Sequence, residues 1–345
     1  MKTILFCTEP NSFNILKPLA DELENQKDEY IWYVTPKLFD EFPYKHQMHT
    51  NSINYLDDFK SDVIFTPTDK VPYWLYGLKV HIFDSLLEDE KKYMEMINYF
   101  DLYLTPGPKF TDIFESLAEE YKSFSVIETG WSKLDTLFNI ANDDNISWER
   151  DNLLEKYGVK YIILYAPSSD MELTSVMKLK DIIIKLSSRK DVLFMIKFDE
   201  NMSKEIVDEY KEIDTPNILI LDDNNISKNM HIADVLISDT NSLVYEFILL
   251  DKPVLTVDTK LKDITWSNQG ASGIYLNVIR TLERSVATRN RRDQTKKNYH
   301  PYNDGKSAKR MVDAVKEYIK KHEIPNERKL SFFKKWKIKR EFKRD

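Results

Sequence analysis

The sequence predicts an α/β protein built from two doubly wound parallel-sheet domains that face a shared cleft. Short apolar runs recur along the whole chain. They are continuous rather than alternating, which suits strands covered on both faces and therefore parallel sheets flanked by helices. Helix-like spacers separate the runs, as parallel strands require. A polar stretch near the middle divides them into two series.

The first series is TILFCT (3–8), YIWYVT (30–35), DVIFTP (62–67), KVHIFD (79–84), LYLTPG (102–107) and SVIETG (125–130). The divider NDDNISWERDNLLEKYG (142–158) reads as a linker running into a helix. The second series is YIILYAP (161–167), VLFMIKF (192–198), ILILDD (218–223), DVLISDT (234–240) and PVLTVD (253–258). Residues 243–250 then fit a helix with apolar positions 243, 244, 247, 248 and 250. The expected division is 1–150, 151–320 and a basic tail from 321 to 345. A chain of 345 residues suits two domains at roughly 100–200 residues each.

Composition narrows the class. Hydrophobic residues at 42% and aromatics at 12% can fill two cores, which argues against global disorder. A formal net charge of −7 excludes a nucleic-acid footprint spread over the whole surface. Cys7 is the only cysteine, so an internal disulfide and a cysteine zinc cluster are both excluded. MKTILFCT (1–8) starts like a signal peptide, but its apolar run is short and Glu9 follows directly. No segment approaches the roughly 20 apolar residues that span a bilayer, so the chain reads as cytoplasmic. Seven glycines form neither a G-x-G-x-x-G loop nor a P-loop, and no G-x-S-x-G elbow occurs. The paired aspartates of LDDNN (221–225) read as a turn with Asx capping rather than a metal site. No cofactor or metal is expected.

The tail changes character. In LSFFKKWKIKREFKRD (330–345), Phe332, Phe333, Trp336, Ile338 and Phe342 alternate with many lysines and arginines. Such a helix suits an anionic membrane surface, whereas a solvated basic tail is the plainer alternative.

The most informative stretch is ADVLISDTNSLVYEFILLDKPVL (233–255). Asp239, Thr240, Asn241 and Ser242 lie between a strand and a helix, where one capping residue would suffice. Free helix amides with the Thr240 and Ser242 hydroxyls offer a place for a phosphate at the carboxyl end of a strand. This stretch resembles the signature of the CDP-glycerol glycerophosphotransferases, the family of teichoic acid primases and polymerases and related capsule enzymes. LTPGPKFTDIF (104–114), ETGWSKLDTLF (128–138), ILYAPSSD (163–170) and YHPYNDGKSAKRMVDAV (299–315) resemble further family motifs in the same order. The resemblance spans roughly residues 60–315.

The resemblance implies a GT-B fold: two Rossmann-like domains, an acceptor-side one followed by a nucleotide-binding one. It implies transfer of a polyol phosphate from a CDP-linked donor to a lipid-linked or polymer acceptor, by an enzyme peripheral on the inner face of the plasma membrane. By carry-over, Asp239, Thr240, Asn241 and Ser242 contact the donor phosphates, with Glu246 at the acidic helix position. Pro167 and Ser168 line the opposite wall. Asp304, Gly305, Lys306, Ser307 and Arg310 form a second candidate anion site, for which an N-capped helix start is the alternative.

Two family histidines are replaced. Asp84 stands where the N-terminal histidine, the candidate general base, would be, and Asp199 stands where the C-terminal one would be. His81 lies inside its strand and points into packing. Asp84 can serve as a base if desolvation raises its pKa, yet a carboxylate repels a diphosphate. A glycosyltransferase using a sugar nucleotide and a catalytically silent nucleotide-fold scaffold are the competing readings.

Overall fold

The computed structural model describes the chain except residues 223, 224, 284, 326, 327, 329 and 343–345. It forms two compact units, Met1–Thr136 with Asn298–Asp345, and Leu137–Lys297. In the first, strands β1 (Lys2–Cys7), β2 (Glu29–Val34), β3 (His49–Thr50), β4 (Val63–Thr66), β5 (Leu78–His81), β6 (Leu102–Thr105) and β7 (Ser125–Glu128) make one sheet. Its order is β3-β2-β1-β4-β5-β6-β7, parallel throughout. The second unit holds β8 (Tyr161–Ala166), β9 (Val192–Ile196), β10 (Ile218–Ile220), β11 (Val235–Ser238), β12 (Val254–Val257) and β13 (Asn268–Gln269). Their order is β10-β9-β8-β11-β12-β13, again parallel.

Every predicted apolar run forms a strand, although β7 and β10, at the sheet edges, are only half-buried. β4, β5 and β6 are fully buried, and so are β9, β11 and β12. The structure adds β3 and β13, whose sequences His-Thr and Asn-Gln carry no apolar signal. Strand order reverses between β1 and β4 in the first unit and between β8 and β11 in the second. Those reversals splay successive loops apart and mark where doubly wound sheets hold ligands.

The domain division differs from the expected one. Residues 298–320 join the first unit, and the helix Ser307–Lys321 packs there against the helix Asn11–Asn25. Gln26 donates to Asp313 (3.1 Å), and Lys316 reaches Gln26 (2.7 Å) and Asp28 (2.6 Å). The expected linker is largely the helix Asp144–Tyr157 of the second unit, capped by the Asp143 carboxylate on Asn145 N–H (2.9 Å).

A buried charge cluster secures the start of the C-terminal tail. Asp101 accepts from Arg328 Nε (3.0 Å) and Nη2 (2.5 Å) and from the Lys79 amide (2.7 Å). The Lys79 ammonium is fully buried and donates to the carbonyls of Leu75 and Gly77, while burial drives its pKa well below the usual lysine value. The β4–β5 connection, residues 67–77, contains no helix. The tail helix Phe332–Glu341 lies beside it: Glu341 pairs with Lys70 (2.6 Å) and the Lys335 ammonium sits over the Tyr73 ring (5.5 Å). Among the described residues, no helix is long and apolar enough to cross a membrane.

Candidate functional site

The polar turn 239–242 follows β11, and Pro167–Ser168 follows β8, so the two segments meet at the strand-order reversal of the second unit. Asp239 is completely buried. One carboxylate oxygen accepts from the Ser168 amide (2.9 Å); the other accepts from the Ser175 amide (2.8 Å) and hydroxyl (3.0 Å). Burial pushes this carboxyl above the ordinary range, against the pull of those donors. Asp239 therefore ties the loop after β8 to the end of β11, and its oxygens point into the protein rather than toward a ligand.

Its neighbours are more open. Thr240, Asn241 and Ser242 are half-buried. The Thr240 hydroxyl accepts from the Lys260 amide (3.0 Å), while the Thr259 hydroxyl donates to the Asp239 carbonyl (3.1 Å). The loop after β12 is thus fastened along the turn. Asn241 Oδ1 accepts from the Leu243 amide (3.0 Å), so it performs the capping, and Ser242 makes no side-chain cap on the helix Leu243–Leu249. Glu246 is buried within that helix. Pro167 is buried, Ser168 is half-buried, and the Ser168 hydroxyl accepts from the Asp170 amide (3.2 Å).

The two aspartates differ sharply. Asp199 is exposed and accepts from the amide (2.9 Å) and side chain (3.1 Å) of Asn201, an Asx turn beyond β9. Asp84 is half-buried beyond β5, where Lys92 reaches it (2.5 Å) and also Asp69 (3.2 Å). Burial opposes the charge on Lys92, but Asp84 and Asp69 outweigh it and raise its pKa. Glu9, beyond β1, feels the same group: burial and the Asp84 charge push its carboxyl up. Phe83, just before Asp84, has a left-handed backbone (φ 58°). Its amide donates to His81 Nδ1 (3.2 Å) and its carbonyl accepts from the Trp131 indole (3.1 Å), which pins the approach to Asp84. His81 is buried among Phe83, Phe100 and Tyr103, and desolvation lowers its pKa to about 3, so it is neutral.

At the second expected anion site, Asp304–Arg310, the Asp304 and Arg310 side chains engage each other. Asp135 occupies the start of the helix Ser307–Lys321, accepting the amides of Ser307 (2.8 Å) and Ala308 (2.7 Å). Arg310 donates to Asp304 (2.8 Å), to the Thr129 carbonyl (2.7 Å) and to the Ser307 hydroxyl (3.1 Å), and it stacks on Tyr302 (4.1 Å). Gly305 supplies the left-handed turn (φ 61°), and Lys306 is exposed. The same residue types cap helices and bind anions, and here the helix amides go to Asp135 while Lys306 at the N-cap makes no side-chain cap. Of the paired aspartates in 221–225, residue 223 lies outside the described residues, as does 224.

Comparison with known proteins identifies the group. A family model described as CDP-Glycerol:Poly(glycerophosphate) glycerophosphotransferase matches residues 81–317. The chain belongs to this family. A teichoic acid poly(glycerol phosphate) polymerase of Bacillus spizizenii is 28% identical over 209 residues, covering 57% of this chain and 50% of that protein. A polymerase of the same name from Staphylococcus epidermidis is 26% identical over 243 residues, covering 64% of this chain and 29% of that protein. The chain thus spans half or less of these curated relatives. Among solved structures, the wall teichoic acid polymerase TagF superposes with TM-score 0.65 at 18% identity, covering 92% of this chain and 89% of that one. The S. aureus MnaA–UDP structure superposes with TM-score 0.69 at 17% identity, covering 92% and 97%. These likenesses show the fold, GT-B.

In this chain, several family motifs prove to be one structural knot of the first unit. A Cβ on Gly107 would come within 2.3 Å of the Tyr299 carbonyl, and one on Gly130 within 2.5 Å of the Ser307 hydroxyl. The Tyr302 hydroxyl donates to Glu128 (2.8 Å), and His300 accepts the Trp131 amide (3.0 Å). Burial lowers the His300 pKa to about 4, so it stays neutral. The lysine of the Lys-Pro pair, Lys252, donates to the carbonyls of Met230 (3.0 Å), His231 and Ala233 (2.8 Å) and closes the helix Ile226–Ile232. Burial lowers its pKa to about 8. Sequence reasoning missed Asp135, Ser175 and Lys252. Their partners are distant in sequence, and only the Lys-Pro pair left a signal.

Proposed function

We propose that the chain transfers glycerol phosphate or a similar polyol phosphate from a CDP-linked donor to a hydroxyl of a lipid-linked or polymer acceptor in teichoic-acid-like synthesis. Family membership across residues 81–317 carries this reading. The donor diphosphate lies along Thr240, Asn241 and Ser242 beside Pro167–Ser168, and Asp239 acts by positioning both segments. Of the two aspartates at the family histidine positions, Asp84 is the candidate base. It follows a pinned strand end, is half-buried and is paired with Lys92 (2.5 Å). Asp199, exposed in its own turn, has no such setting. The acceptor-side role falls to the first unit and the nucleotide role to the second. A cytoplasmic, membrane-peripheral placement, with residues 330–345 on an anionic surface, and a part in capsule synthesis belong to the same reading.

The test is release of CMP from CDP-glycerol in the presence of a lipid-linked acceptor. Asp84→Asn is isosteric and should lower turnover by about 10²–10⁴-fold with unchanged melting temperature. Asp199→Asn should remain within about twofold. Equal turnover by Asp84→Asn and the wild type would remove Asp84 from the chemistry.

A further inference from the structure

The tail helix Phe332–Glu341 has two different apolar faces. Ile338 is fully buried, and Phe342, just past the helix, is buried with its ring 5.5 Å from that of Phe6. The Lys334 ammonium donates to the carbonyls of Glu95 (2.9 Å) and Ile97 (3.0 Å) and lies over Tyr99 (4.7 Å). Lys335 and Glu341 engage Tyr73 and Lys70 on the same side. With 3.6 residues per turn, Phe332, Trp336 and Arg340 form a row on the opposite side, with Phe333 beside it. That row is open: Phe332 is 79% exposed, Phe333 81% and Trp336 54%. Lys337 and Lys339 flank it, and Arg340 sits 5.1 Å from the Trp336 ring centre.

Two phenylalanines and a tryptophan this exposed on one row are unusual for a surface facing only water. The flanking cations select an anionic occupant, and the net charge of the whole chain is −7, so the row does not simply continue a basic body. We propose that this outer face is a fixed platform that seats the first unit on an anionic lipid bilayer while the inner face stays docked beside residues 67–77. The aromatic rings enter the interfacial layer, and Lys337, Lys339 and Arg340 meet lipid headgroups. Among the described residues the docking contacts lie on the other side, so binding requires no release of the tail. The proposal extends the membrane part of the reading above, and its test uses no nucleotide, so it fails or holds apart from the donor site.

The full chain is sedimented with phosphatidylcholine vesicles with and without phosphatidylglycerol. The wild type should pellet with the anionic vesicles and be released by salt. The surface variant Phe332→Ser, Phe333→Ser, Trp336→Ser should lose at least about tenfold in partitioning with an unchanged melting temperature. A Lys70→Cys, Glu341→Cys variant bridged by a short bis-maleimide should bind as the wild type does. Loss of binding on bridging would show a released tether and overturn the platform. Equal binding to neutral vesicles, or no binding, would overturn the anionic bilayer as occupant. A lipid-free dimer abolished by the triple substitution would assign the face to a second copy instead.

Discussion

Asp101→Ala is expected to cost about 3–5 kcal/mol and to lower the melting temperature by roughly 10 °C, the effect of removing one partner from a buried ion pair. Asp101 and Arg328 are each 6% exposed, and Lys79 lies fully buried beside them. Deleting the carboxylate leaves the Arg328 guanidinium in the interior without its partner, and the Lys79 amide loses its acceptor. The effect should reach the tail, because Arg328 also donates to the Gly77 carbonyl (3.0 Å) and anchors the segment before the helix Phe332–Glu341. In a double-mutant cycle with Arg328→Ala, the double variant should cost less than the sum of the singles by about 1–3 kcal/mol. Denaturant unfolding of the four proteins measures this, and additivity would show that the pair is not coupled.

Asp239→Ala should be nearly as severe, about 3–4 kcal/mol, since two backbone amides and a hydroxyl lose a buried anionic acceptor. Asp239→Asn keeps one oxygen and should cost about half as much. Both variants loosen Ser168 and Ser175, so nucleotide binding should weaken even at temperatures where the variant is folded. If Asp239→Ala unfolded like the wild type and lost only ligand affinity, Asp239 would be a direct ligand contact and the assigned positioning role would be wrong.

The pattern of strands was legible because a strand covered on both faces must be apolar throughout, as YIILYA and VLFMI are. Strand order within each sheet and the allegiance of residues 298–321 were not. The latter depends on Gly107 meeting Tyr299 and Asp135 meeting the amides of Ser307 and Ala308, contacts between segments far apart in sequence. The turn 239–242 was legible as a polar connection at the carboxyl end of a strand, since four polar residues exceed what a cap needs. Which of them faces inward was not: aspartate serves equally as cap, ligand and internal acceptor, and only its partners decide. In the Asp-Gly-Lys-Ser segment, likewise, composition did not show that Asp135 takes the helix amides or that Arg310 pairs with Asp304. In the tail, composition revealed aromatics among cations, but the division into Lys334 and Lys335 inward and Lys337, Lys339 and Arg340 outward depends on where Ile338 docks.

The most direct measurement is thermal unfolding of the full chain with CMP, CDP-glycerol, UDP and a UDP-sugar, each titrated to saturation. A ligand at about 100 times its dissociation constant adds roughly 2.7 kcal/mol to the unit that binds it. Stabilisation by the cytidine compounds alone, weakened by Thr240→Val and Ser242→Ala, is the predicted result. Stabilisation by uridine compounds alone would contradict it in favour of a sugar-nucleotide enzyme, and the absence of any shift would remove the donor site from the second unit.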